Sequence, residues 1–111
     1  MPANDKPVLI YGTFASPDEA RRIGGDLVDR QLAACVNILA PITSLYVWQG
    51  KREEAVETPM LIKTRAGLAE AVIAHVRAAH SYDNPALLTL EVGGGSAEFI
   101  GWILAQTQAV P

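Results

Sequence analysis

Few side chains in this sequence are equipped for chemistry, and the two histidines come first. His75 and His80 lie five residues apart. Two ligands on one helical face stand three or four apart, so a metal shared by this pair requires a helix that ends between them. Imidazole and thiolate together suit copper or zinc. The one thiol, Cys35, is far from both histidines in the chain, and a metal site takes three or four ligands. His80 is the candidate metal ligand. The competing reading makes His80 a hydrogen-bonded turn residue and His75 an ordinary helix residue.

Cys35 lies in an apolar stretch, where a free cysteine packs as a small hydrophobe. No basic group near it in the sequence is evident to activate the thiol. A second group is richer. Tyr46, Trp48, Glu57, Lys63 and Tyr82 combine aromatic surface with one cation and one anion. On neighbouring strands they could line a cleft between subunits and bind a small carboxylate or zwitterion, since pockets favour interfaces and need few polar groups. The alternative is interface packing around a satisfied ion pair. Gly93-Gly94-Gly95-Ser96 precedes a helical pattern. It lacks the lysine and spacing of a phosphate-binding loop, so a tight turn is the better reading.

The sequence contains no nucleophile elbow, His-Glu-x-x-His, kinase or dinucleotide-binding pattern, and the expectation is a protein that is not an enzyme. The chain has 111 residues, 50% of them hydrophobic and 19% charged, with a net charge of −3. That is a folding composition of single-domain size. No cluster of Lys and Arg offers a surface for nucleic acid or anionic membrane. A lone cysteine forms no intrachain disulfide and fits a reducing compartment. Without a signal-peptide pattern or an apolar run long enough for a membrane span, the expectation is cytoplasmic.

These residues must be held by elements. Val8 to Tyr11 reads as a first strand. Ser16-Pro17-Asp18-Glu19 opens a helix, with Ser16 as cap, Pro17 at the first position and Glu19 closing a capping box. Ala20, Ile23, Leu27 and Val28 supply its apolar spacing. Ala33 to Trp48 predicts a long strand interrupted near Pro41, and Gln49-Gly50 a turn. The return strand runs from about Glu53 to Thr64, with a bulge or an edge at Pro59. Leu68, Val72, Ile73 and Val76 mark a second helix. Ala86 to Val92 is a last strand. Ser96 caps a third helix carrying Ile100, Ile103 and Leu104.

The order is β-α-β-β-α-β plus a C-terminal helix, the pattern of an α+β, ferredoxin-like antiparallel sheet with two helices on one face. Residues 1–7 read as a flexible N-terminus and residues 8–111 as one domain. The strands do not alternate apolar with polar residues as a solvent-facing sheet does. Val8-Leu9-Ile10-Tyr11, Met60-Leu61-Ile62 and Leu87-Leu88-Thr89-Leu90 are apolar on both faces. One short helix cannot cover the second face, so other copies of the chain are expected to bury it.

Six segments together resemble the CutA divalent-cation tolerance family. They are Ser16-Pro17-Asp18-Glu19-Ala20, the stretch Leu32 to Ile38 (Leu-Ala-Ala-Cys-Val-Asn-Ile), Thr43 to Lys51, Glu57 with Met60 to Thr64, His80 to Pro85, and Phe99 to Ile103. The resemblance implies a homotrimer of ferredoxin-like subunits, implicated in tolerance of copper and other divalent metals. It points to Tyr46, Trp48, Glu57, Lys63 and Tyr82 as the intersubunit cleft. The family's architecture is also like that of trimeric PII signalling proteins, so a sensor binding a small metabolite in those clefts is the alternative, and a small ferredoxin-like enzyme the third reading. The family's turn carries Pro after its His and Glu after its second Pro, where this chain has Ser81 and Ala86. Of the first-strand cysteine and His-His pair implicated in copper binding, this chain keeps only His80; Tyr11 and Gly12 occupy the first strand, and Ala79 precedes His80.

Overall fold

The computed structural model describes residues 5–109. Strand β1 spans Pro7–Phe14, helix α1 Pro17–Asp29, β2 Cys35–Ile38, β3 Ile42–Trp48, β4 Lys51–Arg65, α2 Ala69–Ala79, β5 Leu87–Glu91 and α3 Ala97–Gln106. A single 3₁₀ turn, Ala66–Leu68, leads into α2. The sheet is antiparallel, with β5, β1 and β4 side by side and β2 and β3 both along the far edge of β4. This is the expected ferredoxin-like arrangement. Of the segment expected to be flexible, residues 1–4 lie outside the described residues, as do residues 110–111; Pro7 already belongs to β1.

The interruption anticipated between Ala33 and Trp48 has a definite form. Ile38 pairs with Met60, and pairing resumes at Ile42 opposite Glu57. Three residues on one side therefore face two on the other, which is the offset of a bulge. Pro59 sits in this gap, where β4 has no ladder partner on that side to miss its absent N–H. Its carbonyl accepts from the Leu39 amide at 3.0 Å. Beyond the gap, β3 and the start of β4 form a hairpin closed by Gln49 and Gly50, at φ of 51° and 79°. Two positive values in a two-residue loop match the right-handed twist of the strands. The 15 residues of β4, at about 3.3 Å each, account for most of the molecule's 46 Å long axis.

Helices α1 and α2 pack on one face of the sheet. Strand alternation sends Ile10 and Phe14 from β1, and Met60 and Ile62 from β4, toward Ala20, Ile23 and Leu27 of α1 and Val72 and Val76 of α2. All of these are buried; each fully buried large apolar side chain contributes about 1.5–3 kcal/mol. Val28, expected on the apolar stripe of α1, is exposed instead. Gly24 occupies the stripe, because a Cβ there would lie 2.8 Å from the Met60 Sδ and 2.9 Å from the Val36 Cγ2.

Helix α3 lies on the opposite face, capped by the Ser96 hydroxyl, which accepts from the Phe99 amide at 3.3 Å. It buries Ile103. Arg65, at the end of β4, fastens it there: the guanidinium donates to the Thr107 hydroxyl at 3.0 Å, to the Leu104 carbonyl, and to Asp5 at 2.8 Å. The rest of this face stays open, with Leu88 at 64% and Leu90 at 43% exposure.

Candidate functional site

The chain leaves α2 at His80, whose side chain is fully enclosed. Its ring stacks on Phe14, centroids 4.9 Å apart, and lies 4.7 Å from the ring of Tyr82. Nε2 donates to the Thr13 carbonyl at 2.8 Å, and Nδ1 accepts from the Tyr82 amide at 3.0 Å. A carbonyl only accepts and an amide N–H only donates, so Nε2 carries the proton given to Thr13 and both ring nitrogens are engaged. A metal ion here has to displace one of those hydrogen bonds.

Glu19 is the residue that sequence reasoning placed wrongly. The Ser16 hydroxyl caps α1, accepting from the Glu19 amide at 3.1 Å. The Glu19 carboxylate does not return to Ser16 to complete a capping box. It accepts from the Ser81 amide at 2.8 Å, the Ser81 hydroxyl at 2.9 Å and the Ala15 amide at 3.3 Å. Burial by itself raises the pKa of this carboxyl, but the two Ser81 hydrogen bonds, with His80 and the Ala15 amide, outweigh it and hold the group below its ordinary range. Glu19, His80 and Ser81 thus tie the turn to the start of α1 and fix the direction of Tyr82.

The expected cleft set divides in two. The Tyr82 phenol is pushed up, first by burial and then by the charge of Glu57, with Glu19 and Tyr46 adding to it. Tyr82, Glu57 and Tyr46 therefore share one region of a single chain. Trp48 is at the hairpin tip, paired with Lys51 and 57% exposed. Lys63 is elsewhere. It shares a face of β4 with Glu57, but six residues of strand put them about 20 Å apart. Its Nζ stands over the Phe99 ring, 5.3 Å from the centroid.

Cys35 is half-buried and directly across from Lys63 in the β2–β4 register. The expectation that no basic group lies near it is thereby corrected: pairing of distant strands, invisible in the local sequence, supplies one. His75 donates from Nε2 to Asp26 at 2.6 Å, and Arg30 donates to the same carboxylate at 3.0 Å. These bonds, Arg30 first, hold the Asp26 carboxyl below its usual range. Gly93 to Ser96 lead into α3 as a loop.

Among the described residues, no three of His, Cys, Asp and Glu are grouped to hold a metal ion. The described residues of one chain therefore form no closed metal centre. What it does offer is a rigid, hydrogen-bonded turn beside a phenol–carboxylate pair, an apolar hairpin, and a lysine under an aromatic ring. No helix among the described residues is long and apolar enough to cross a membrane.

Comparison with known proteins places this arrangement. A family sequence profile described as CutA1 divalent ion tolerance protein matches residues 8–106. The divalent-cation tolerance protein CutA of Archaeoglobus fulgidus is 44% identical over 95 residues, covering 86% of this chain and 92% of that protein. The chloroplastic protein CutA 1 of Oryza sativa is 36% identical over 101 residues, covering 91% of this chain. The chain spans 57% of that rice protein and 56% of its Arabidopsis thaliana counterpart. A solved structure of the periplasmic divalent cation tolerance protein CutA from Archaeoglobus fulgidus superposes with a TM-score of 0.89 at 40% identity, covering 92% of this chain and 99% of that one.

Proposed function

Because this chain belongs to the CutA1 divalent ion tolerance family, we propose that it acts in the response to divalent metal ions, copper among them, as a cytoplasmic homotrimer that carries out no chemical turnover. The observation that carries the assembly is the apolar surface left uncovered. Leu45, Val47, Trp48 and Val56 of the hairpin are 57–69% exposed, and Leu88 of β5 is 64% exposed. Monomers rarely leave large apolar patches in water, and identical copies arranged in a closed ring cover such side chains with one repeated contact.

Assembly also provides the cleft. Tyr46, Glu57 and Tyr82 of one copy, with the hairpin-tip Trp48 and the Lys63 of neighbouring copies, are the residues proposed to line it. The metal response operates through weak contact at the His80 turn, since binding there costs a hydrogen bond to Thr13 or Tyr82. Calorimetric titration of the assembled protein with copper(II) tests this. Saturable heat that disappears in His80→Ala supports metal contact at the turn. Absence of saturable heat in the wild type overturns it.

A further inference from the structure

Lys63 carries a charge that no carboxylate among the described residues answers. On its face of the sheet it is flanked by Leu9 of β1 and Cys35 of β2, and it is roofed by Phe99. None of the ion pairs among the described residues includes it. Glu91, on the neighbouring β5, pairs with Val8 rather than with Leu9. Strand alternation therefore turns Glu91 to the helix-packed face, away from Lys63. The Lys63 side chain borders a cavity of about 270 Å³ between the sheet and α3, lined with it by Leu9, Phe99, Ile100, Ile103 and the Ser96 end of the helix.

We propose that this cavity binds a small monocarboxylate with an apolar body. A partly buried cation with only an aromatic face beside it is under-satisfied, and an incoming carboxylate supplies an anion and a charge-assisted hydrogen bond. The remaining walls offer hydrocarbon and one aromatic face, so the rest of the ligand is branched aliphatic or aromatic. The cavity suits a molecule of that size, and it is formed by one chain. The inference therefore stands independently of metal binding, and it shares only Lys63 with the proposed intersubunit cleft.

Phenylacetate is the probe, with phenylacetamide as its uncharged counterpart and acetate as the anion without the apolar body. Heteronuclear NMR titration of the full-length protein is expected to show saturable phenylacetate shifts at Gly94, Gly95, Ser96 and Phe99. Phenylacetamide and acetate are expected to bind about tenfold more weakly or worse. Lys63→Gln is expected to lose about tenfold in phenylacetate affinity, whereas Lys63→Arg, which keeps the charge, retains most of it. Failure of phenylacetate to saturate, equal binding of acid and amide, or unchanged affinity in Lys63→Gln each overturns the proposal. A copper titration that fails leaves these outcomes untouched.

Discussion

Ser81 grips both oxygens of the Glu19 carboxylate, its amide donating to Oε1 at 2.8 Å and its hydroxyl to Oε2 at 2.9 Å. The two residues are 62 positions apart in the chain. Glu19 is 8% exposed, whereas Ser81 and Ala15 are exposed residues, so removing the carboxylate breaks charge-assisted hydrogen bonds without leaving their donors buried. Glu19→Ala is expected to lower stability by about 1.5–3 kcal/mol and Ser81→Ala by about 1 kcal/mol. Denaturant unfolding at one fixed chain concentration checks both, since assembly makes stability depend on concentration.

The same carboxylate predicts an acid response. Its folded-state pKa lies below the ordinary 4.5. The stability it contributes is therefore fully present above that ordinary value and is lost as pH falls through the folded one. The gap in unfolding midpoint between wild type and Glu19→Gln should be constant near neutral pH and shrink below about pH 4.5. A gap that does not change with pH would deny the carboxylate this role.

Adjacent glycines on α1 give opposite forecasts. At Gly24 an added Cβ meets Met60 and Val36 closer than 3.0 Å, while at Gly25 it meets nothing within 4 Å. Gly24→Ala is expected to cost about 1–3 kcal/mol through overpacking. Gly25→Ala is expected to gain about 0.5–1 kcal/mol from helix propensity. Thermal unfolding of the two variants side by side reads the contrast.

The elements were legible because their signals are local. Ser16-Pro17 starts α1, Gln49-Gly50 turns the hairpin, and Pro41 with Pro59 marks the break between β2 and β3. What escaped was set by distant contacts. Glu19 satisfies the local rule for a capping box, yet Ser81 offers its carboxylate two donors that no window around Ser16 contains. Lys63 and Glu57 share one face of β4 and so resemble a pair, but strand rise separates them. Cys35 looked isolated from any cation until β2 was laid against β4. Gly24 carries no signal in its local sequence, and only the approach of Met60 shows that a side chain there has no room.

The open sheet face makes its own forecast. Leu88→Glu places a charge at a residue that is already 64% exposed in one chain, so the fold should survive. Burying that charge unpaired between copies costs several kcal/mol. The variant is expected to shift toward smaller species at micromolar concentration while keeping its circular dichroism spectrum.

The most direct test of the whole account is sedimentation equilibrium of the unaltered protein at micromolar concentration. The account predicts one species at three times the 11.9 kDa chain mass, unchanged on tenfold dilution. A single species at the mass of one chain would contradict it.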